Sequence, residues 1–111
     1  MNNPKYTVFR SLENNQYYYR LRSGNGEIIL SSEGYIAKSS CLYAIDSVRI
    51  NAPIDSRYER NDRIGNYTFN LKAANGEIIG RSESYTSSGA RENGIAAVKR
   101  DAPGAPVEDL T

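Results

Sequence analysis

Apolar and polar residues alternate with a period of two along Tyr17-Tyr18-Tyr19-Arg20-Leu21-Arg22. Tyr17, Tyr19 and Leu21 fall on one side and Tyr18, Arg20 and Arg22 on the other, the pattern of a half-buried strand. The same alternation returns at Tyr67, Phe69 and Leu71 against Thr68, Asn70 and Lys72, so the odd-numbered set faces the core. Tyr6-Thr7-Val8-Phe9 predicts an earlier strand, with a polar turn over Leu12–Gln16 and a fraying start from Met1 to Lys5. Asn25-Gly26 and Asn75-Gly76 stand between runs of β-formers, which predicts two-residue hairpins with type I′ turns. Such a loop pairs Gly24 with Glu27 and Leu21 with Leu30. Ile28, Leu30 and Ser32 then join the core face, Glu27, Ile29 and Ser31 turn away, Ile29 faces Arg22, and Ile79 faces Lys72. A three-residue loop would swap the two faces.

After Tyr35 the period lengthens. Leu42, Ile45 and Val48, with Cys41 at the edge, predict a helix capped by Ser39 or Ser40, and Ala90, Ile95 and Val98 predict a second capped by Ser87 or Ser88. Asn51-Ala52-Pro53 and Asp101-Ala102-Pro103 end them, since a proline disfavours helical geometry in the residue before it. Gly94 sits inside the second helix at a cost of up to about 1 kcal/mol relative to alanine. Close helix-to-sheet packing is the simplest reason for it. Gly104-Ala105-Pro106 turns the chain into a last strand.

These elements form a tandem repeat with a constant offset of 50 residues. Asn25-Gly26-Glu27-Ile28-Ile29 returns as Asn75-Gly76-Glu77-Ile78-Ile79. Arg10 matches Arg60, Tyr17 Tyr67 and Leu21 Leu71; Ser32-Glu33 and Tyr35 match Ser82-Glu83 and Tyr85. Ile45, Val48, Ala52 and Pro53 match Ile95, Val98, Ala102 and Pro103. By the same offset Arg57–Arg60 corresponds to Val107–Leu110, so the first unit's closing strand doubles as the second unit's opening one. Strand runs ahead of each helix define an α+β fold of two β-β-β-α-β units with the helices packed on one antiparallel sheet. Residues 1–111 read as a single domain, with repeats at 5–56 and 57–111.

The unit Tyr-x-Phe/Tyr-x-Leu-x-x-x-Asn-Gly-Glu-Ile-Ile, then Ser-Glu-x-Tyr, then Gly/Ala-Ile-x-x-Val and Ala-Pro, closely resembles the YegP-like family of small bacterial proteins. That family is a domain of unknown function, often in two tandem copies. The resemblance spans Lys5 to Thr111. It implies a pseudo-twofold fused pair sharing one sheet, with the last strands exchanged, and it implies no activity.

Composition then narrows the chemistry. Units of about fifty residues are marginal alone, which favours one pooled core. The chain has 14 basic and 13 acidic residues and no His. Near-neutral charge supplies little drive toward duplex nucleic acid or an acidic membrane. Without His, a Ser-His-Asp or Cys-His site cannot form, and the commonest metal ligand is missing. The expectation is a non-enzyme with no cofactor and no metal. The start lacks the apolar run of a signal peptide, no stretch is long enough to span a membrane, and one Cys excludes an internal disulfide. A cytoplasmic monomer follows.

Two sets of residues carry what remains. Tyr18, Arg20 and Arg22, echoed by Asn70 and Lys72, form a candidate binding face that could stack bases and hold phosphates. Thr68 in place of Tyr18 and the neutral charge argue against nucleic acid. The repeated Asn25, Gly26, Glu27, Ser32, Glu33 and Tyr35, with Asn75, Gly76, Glu77, Ser82, Glu83 and Tyr85, read first as structural. On that reading the glutamates lie beside cationic neighbours, each Ser satisfies backbone at the strand-to-helix corner, and each Tyr packs beneath it. A ligand-binding corner is the sharper alternative. Cys41 reads as half-buried and inert. The leading function is a non-catalytic module binding a protein or peptide on a sheet face or edge; the alternative is weak single-stranded nucleic-acid binding.

Overall fold

The computed structural model describes residues 3–111. Strands β1 (Lys5–Arg10), β2 (Tyr17–Arg22) and β3 (Ile28–Ser31) lead to helix α1 (Lys38–Asn51). A 3₁₀ turn at Asp55–Arg57 opens β4 (Tyr58–Arg63), followed by β5 (Asn66–Lys72), β6 (Ile78–Arg81), helix α2 (Ser88–Asp101) and β7 (Val107–Asp109). The strands form one sheet in the order β4-β5-β6-β3-β2-β1-β7. Both helices pack on the face where Tyr6, Val8, Tyr19, Leu21, Phe69 and Leu71 are buried. One apolar cluster runs through both repeats. Among the described residues no helix is long and apolar enough to cross a membrane.

The repeats exchange their ends. β7 closes against β1 in parallel, with Tyr6 opposite Val107, so the sheet is mixed where an antiparallel one was expected. The chain reaches β7 through α2, and a helical crossover, unlike a hairpin, can deliver a parallel strand. The buried Tyr6 hydroxyl donates to Ala102 O at 2.7 Å, and Tyr58 donates to Ala52 O at 2.7 Å. Each opening strand thus holds the end of the other repeat's helix. Burial pushes both phenols well above the ordinary tyrosine range.

The offset of 50 fails at these opening strands. Tyr6 faces Leu21 and Tyr58 faces Leu71, so Tyr58 is the structural match of Tyr6, 52 residues on. Arg10 therefore matches Asp62 instead of Arg60. The connection from Arg10 to Tyr17 is two residues longer than that from Asp62 to Tyr67. β1 already begins at Lys5, whose Nζ lies 3.2 Å from Glu108, so fraying does not reach Lys5; Met1 and Asn2 lie outside the described residues.

The hairpins also differ from the expected type I′ form. Ser23 O accepts the Gly26 N–H at 2.9 Å, Ser23 N–H donates to Glu27 O at 2.9 Å, and Gly26 has φ +86° while Asn25 does not take a positive φ. This is a type I turn closed by a glycine bulge, repeated at Ala73–Glu77 with Gly76 at φ +88°. Asn25 Oδ1 accepts the Glu27 N–H at 2.9 Å, a bond a type I turn favours at this position. Leu21 still faces Leu30, but a bulge sets Arg22 opposite Ile28, and Lys72 opposite Ile78. The expected pairs Gly24–Glu27, Arg22–Ile29 and Lys72–Ile79 do not form. The extra residue lets Ile29 and Leu30 both bury, as do Ile79 and Gly80, so Ile29 does not turn away.

Helix α1 buries Cys41, Ala44, Ile45 and Val48 while Leu42 stays 37% exposed. Ile45 and Val48 of the expected stripe are buried, but Cys41 and Ala44 complete it where Leu42 was expected, because the helix is turned so that its Cys41 edge faces the sheet. Ala37 occupies its N-cap with no side-chain bond, since the helix starts before Ser39 and Ser40 can cap it. In α2 the Ser87 hydroxyl does cap, accepting from Ala90 N–H at 3.1 Å. Ala90 itself is half-buried, and Arg91, Gly94, Ile95 and Val98 form the buried face. Cys41 is fully buried and its thiol is pushed up to about 11 by that burial. Arg91, its match, reaches the carboxylates of Asp62 and Glu92.

At the junction of the repeats β3 and β6 pair at Ser31–Arg81. Tyr19 donates its hydroxyl across this seam to Ile79 O at 2.6 Å. Leu30 fills the space beside Gly80, where a Cβ would stand 2.6 Å from Leu30 Cδ2 and 2.7 Å from the Tyr19 hydroxyl. A large residue on one side of the pseudo-twofold therefore requires a glycine on the other.

Candidate binding surfaces

Cross-strand partners share a face, and the register aligns Thr7, Arg20, Ser31, Arg81 and Asn70 across the side of the sheet without helices. Phe9 and Tyr18 stack there with centroids 5.6 Å apart and planes 13° apart, and Arg20 lies 4.7 Å above the Phe9 ring. The Tyr18 hydroxyl accepts from Asn14 at 2.9 Å, and Arg22 donates to Gly26 O at 3.1 Å. Tyr18, Arg20 and Arg22 thus form one patch. Asn70 and Lys72 do not belong to it: β5 lies three strands from β2, roughly 14 Å at about 4.8 Å per strand. Both are bound to Glu59, at 2.9 and 2.8 Å. Phe9 and Arg81 belong to the face and sequence alternation alone missed them, because neither has a conspicuous match in the other repeat.

The repeated motifs meet between the repeats. Ser32 Oγ accepts the Tyr19 N–H at 2.9 Å and donates to Glu33 O at 2.8 Å; Ser82 does the same with Phe69 and Glu83, at 2.8 and 2.7 Å. These hydroxyls hold the strand-to-helix corners, and Tyr35 and Tyr85 bridge to Tyr17 and Tyr67 below. Each corner opens on the Asn-Gly turn of the opposite repeat. Glu33, Tyr35 and Tyr43 on the α1 side and Asn75 and Glu77 from the second hairpin line a cleft of about 950 Å³. Asn25, Glu27 and Ile29 with Tyr85, Asn93 and Gly94 line its pseudo-symmetric mate, of about 420 Å³.

Charge pairing leaves the repeated glutamates without partners, as it does Glu13 and Asp46 among the described residues. Asp55, Glu59, Asp62, Glu92, Asp101, Glu108 and Asp109 are in ion pairs. Glu27, Glu33, Glu77 and Glu83 are in none among the described residues, so the expected cationic neighbours do not hold them. Burial raises the Tyr35 phenol, with Glu33, then Cys41 and then Glu77 adding to the effect after it. Burial does the same for Tyr85, helped by Glu83 and Glu27. Among the described residues no three acidic or thiol side chains converge as a metal site would require.

A fused pair of strand-strand-strand-helix repeats, with an open sheet face and two clefts between the repeats, is the class this architecture defines. The chain belongs to the DUF1508 family, a domain of unknown function, whose pattern matches residues 13–59 and again 62–109. It is 53% identical over 97 residues to a UPF0339 protein of Bordetella pertussis, covering 86% of this chain and 87% of that one. It is 46% identical over 98 residues to the UPF0339 protein YegP of Escherichia coli, covering 87% and 89%. Solution NMR structures of a UPF0339 protein from Shewanella oneidensis and of yegP from E. coli each superpose with TM-score 0.91 at 42% identity. The first match covers 98% of this chain and 92% of that one, the second 100% and 96%.

Proposed function

We propose that the protein is a small non-catalytic interaction module of the cytoplasm, acting as a monomer, that holds an acidic segment of another protein on its open sheet face. One observation carries this reading: Arg20, Arg22 and Arg81 share the open face with the Phe9–Tyr18 stack and, like Arg10, Arg49, Arg57 and Arg63 elsewhere, have no carboxylate partner among the described residues. Guanidinium groups beside aromatic rings suit bidentate carboxylates. The face is favoured over an edge because β4 and β7 carry Glu59, Arg60, Asp62, Glu108 and Asp109, and charged edges resist strand addition. Amide NMR titration at low salt with a glutamate-rich peptide should move Phe9, Tyr18, Arg20 and Arg81, and Arg20→Ala should weaken the binding. A spectrum that stays still disposes of the reading. Light scattering at twice the chain mass would overturn the monomer.

The parallel Phe9–Tyr18 stack favours a second reading, a single-stranded nucleic-acid platform. Tyr18→Ala separates the two: it should weaken oligonucleotide binding and leave the acidic peptide largely unaffected.

A further inference from the structure

The α1 cleft lies on the helix side of the sheet and combines features its mate lacks. Glu33 and Glu77 line it without cationic partners. Arg81 is the cationic residue that borders it, and its pairing with Ser31 assigns it to the open sheet face. Tyr43, 76% exposed, stands at the cleft beside half-buried Tyr35, so aromatic faces adjoin the carboxylates, a setting that attracts an organic cation. Two further exposed apolar residues flank Tyr43 in the chain, Ile36 just before α1 and Ile50 two turns on along it: Ile36, Tyr43 and Ile50 are 86%, 76% and 71% exposed. On the α2 side Thr86, Asn93 and Arg100 take those places. Exposed apolar residues on the element that borders an acidic cleft complement a polypeptide that is apolar on one side and carries a cation.

We infer that the α1 cleft docks a basic segment of a partner protein, with a Lys or Arg side chain directed to Glu33 and Glu77 and apolar neighbours along Ile36, Tyr43 and Ile50. The cleft volume of about 950 Å³ is at the upper end of sizes that enclose a ligand group. The site shares only Arg81 with the acidic-segment surface on the far face; Glu33, Tyr43 and Glu77 report on one and Phe9, Tyr18 and Arg20 on the other, so either assignment can fail without the other.

The test uses the full chain, amide NMR, and three probes: an amphipathic peptide with one Arg flanked by Leu, its Gln-for-Arg counterpart, and agmatine. The Arg peptide should shift Glu33, Tyr35, Tyr43 and Glu77. Glu33→Gln and Glu77→Gln should each weaken it about tenfold, Tyr43→Asn should weaken it, and Glu27→Gln in the mate cleft should leave it unchanged. The same spectra report whether each variant is folded. Equal binding of the Gln peptide overturns the role of charge, and no shift overturns the site. Agmatine binding as tightly as the Arg peptide overturns the protein partner in favour of a small cation.

Discussion

The α1 cleft is more than twice the volume of its mate, about 950 against 420 Å³, although the same duplicated motif frames both. The difference rests on a few side chains. A Cβ at Gly94 would overlap the Tyr85 phenol, with Cζ only 2.7 Å away. Tyr85 therefore leans on bare helix backbone and narrows its cleft. Ala44 stands in the place of Gly94, so the first repeat carries a methyl where the second lets its tyrosine reach bare backbone. Tyr43 and Ser47 line the larger cleft where Asn93 and Ala97, at the matching positions, line the smaller. Duplication keeps the frame and divergence at the lining makes two unequal clefts of it.

The largest effect expected is at the seam, where the repeats also differ. Leu30→Ala should cost about 2–5 kcal/mol in urea unfolding, because it opens a cavity among fully buried neighbours. Gly80→Ala should cost about 1–3 kcal/mol by crowding Leu30 and the Tyr19 hydroxyl. The double variant should cost less than the two added, since the smaller residue makes room for the new methyl. Strict additivity would mean that the two sides do not share one space.

The clefts give the next test. Gly94→Ala gains up to about 1 kcal/mol of helix propensity but must displace Tyr85, at about 1–3 kcal/mol, so a net loss of up to about 2 kcal/mol is expected. The displaced Tyr85 should widen the smaller cleft, seen as shifted ring resonances. Ala44→Gly should lose about 0.5–1 kcal/mol and let Tyr35 close the larger one. A stabilised Gly94→Ala protein with an unmoved Tyr85 would show that the cleft difference has another origin.

Tyr19→Phe makes the first repeat resemble the second, which has Phe69 here. It removes the 2.6 Å bond to Ile79 O and should cost about 1 kcal/mol net, more if the carbonyl is left without water. Thermal unfolding of this variant against Tyr35→Phe, whose ring is only half-buried, separates seam from cleft.

How much of this the sequence carried depended on whether the signal was local. Strand alternation put Tyr19, Leu21, Phe69 and Leu71 in the core because period-two patterning follows directly from the pleat. The Asn-Gly pair signalled a hairpin but not its bulge, since type I′ and bulged type I turns accept the same residues at their glycine. That one difference hid the burial of Ile29. The shift from 50 to 52 at Tyr58 was hidden by an accidental Arg10–Arg60 match. The YegP-like resemblance carried the exchange of last strands, which no local pattern encodes. The clefts were beyond the sequence for the same reason: Glu77 and Tyr35 are 42 residues apart and meet only through the pairing of β3 with β6.

The smallest effect concerns a strut present on one side alone. Lys38 at the start of α1 pairs with Asp109 on β7, while Ser88 holds the matching place on α2. Lys38, with added bonds from Thr111, holds the Asp109 carboxyl at about 2, below the usual aspartate range. A carboxyl depressed by folding contributes stability above its unfolded pKa, near 4, and loses it as the pH falls through about 2. Acid should therefore loosen the start of α1 and β7 before the start of α2, by an amount kept small because both side chains are partly exposed. Hydrogen exchange at pH 5 and pH 2.5 reads this directly. Amides at Ser40, Cys41 and Leu110 should lose more protection than Ala90 and Arg91, and Asp109→Asn should remove the difference. Equal loss at both helix starts would mean that the two repeats respond to acid as one unit.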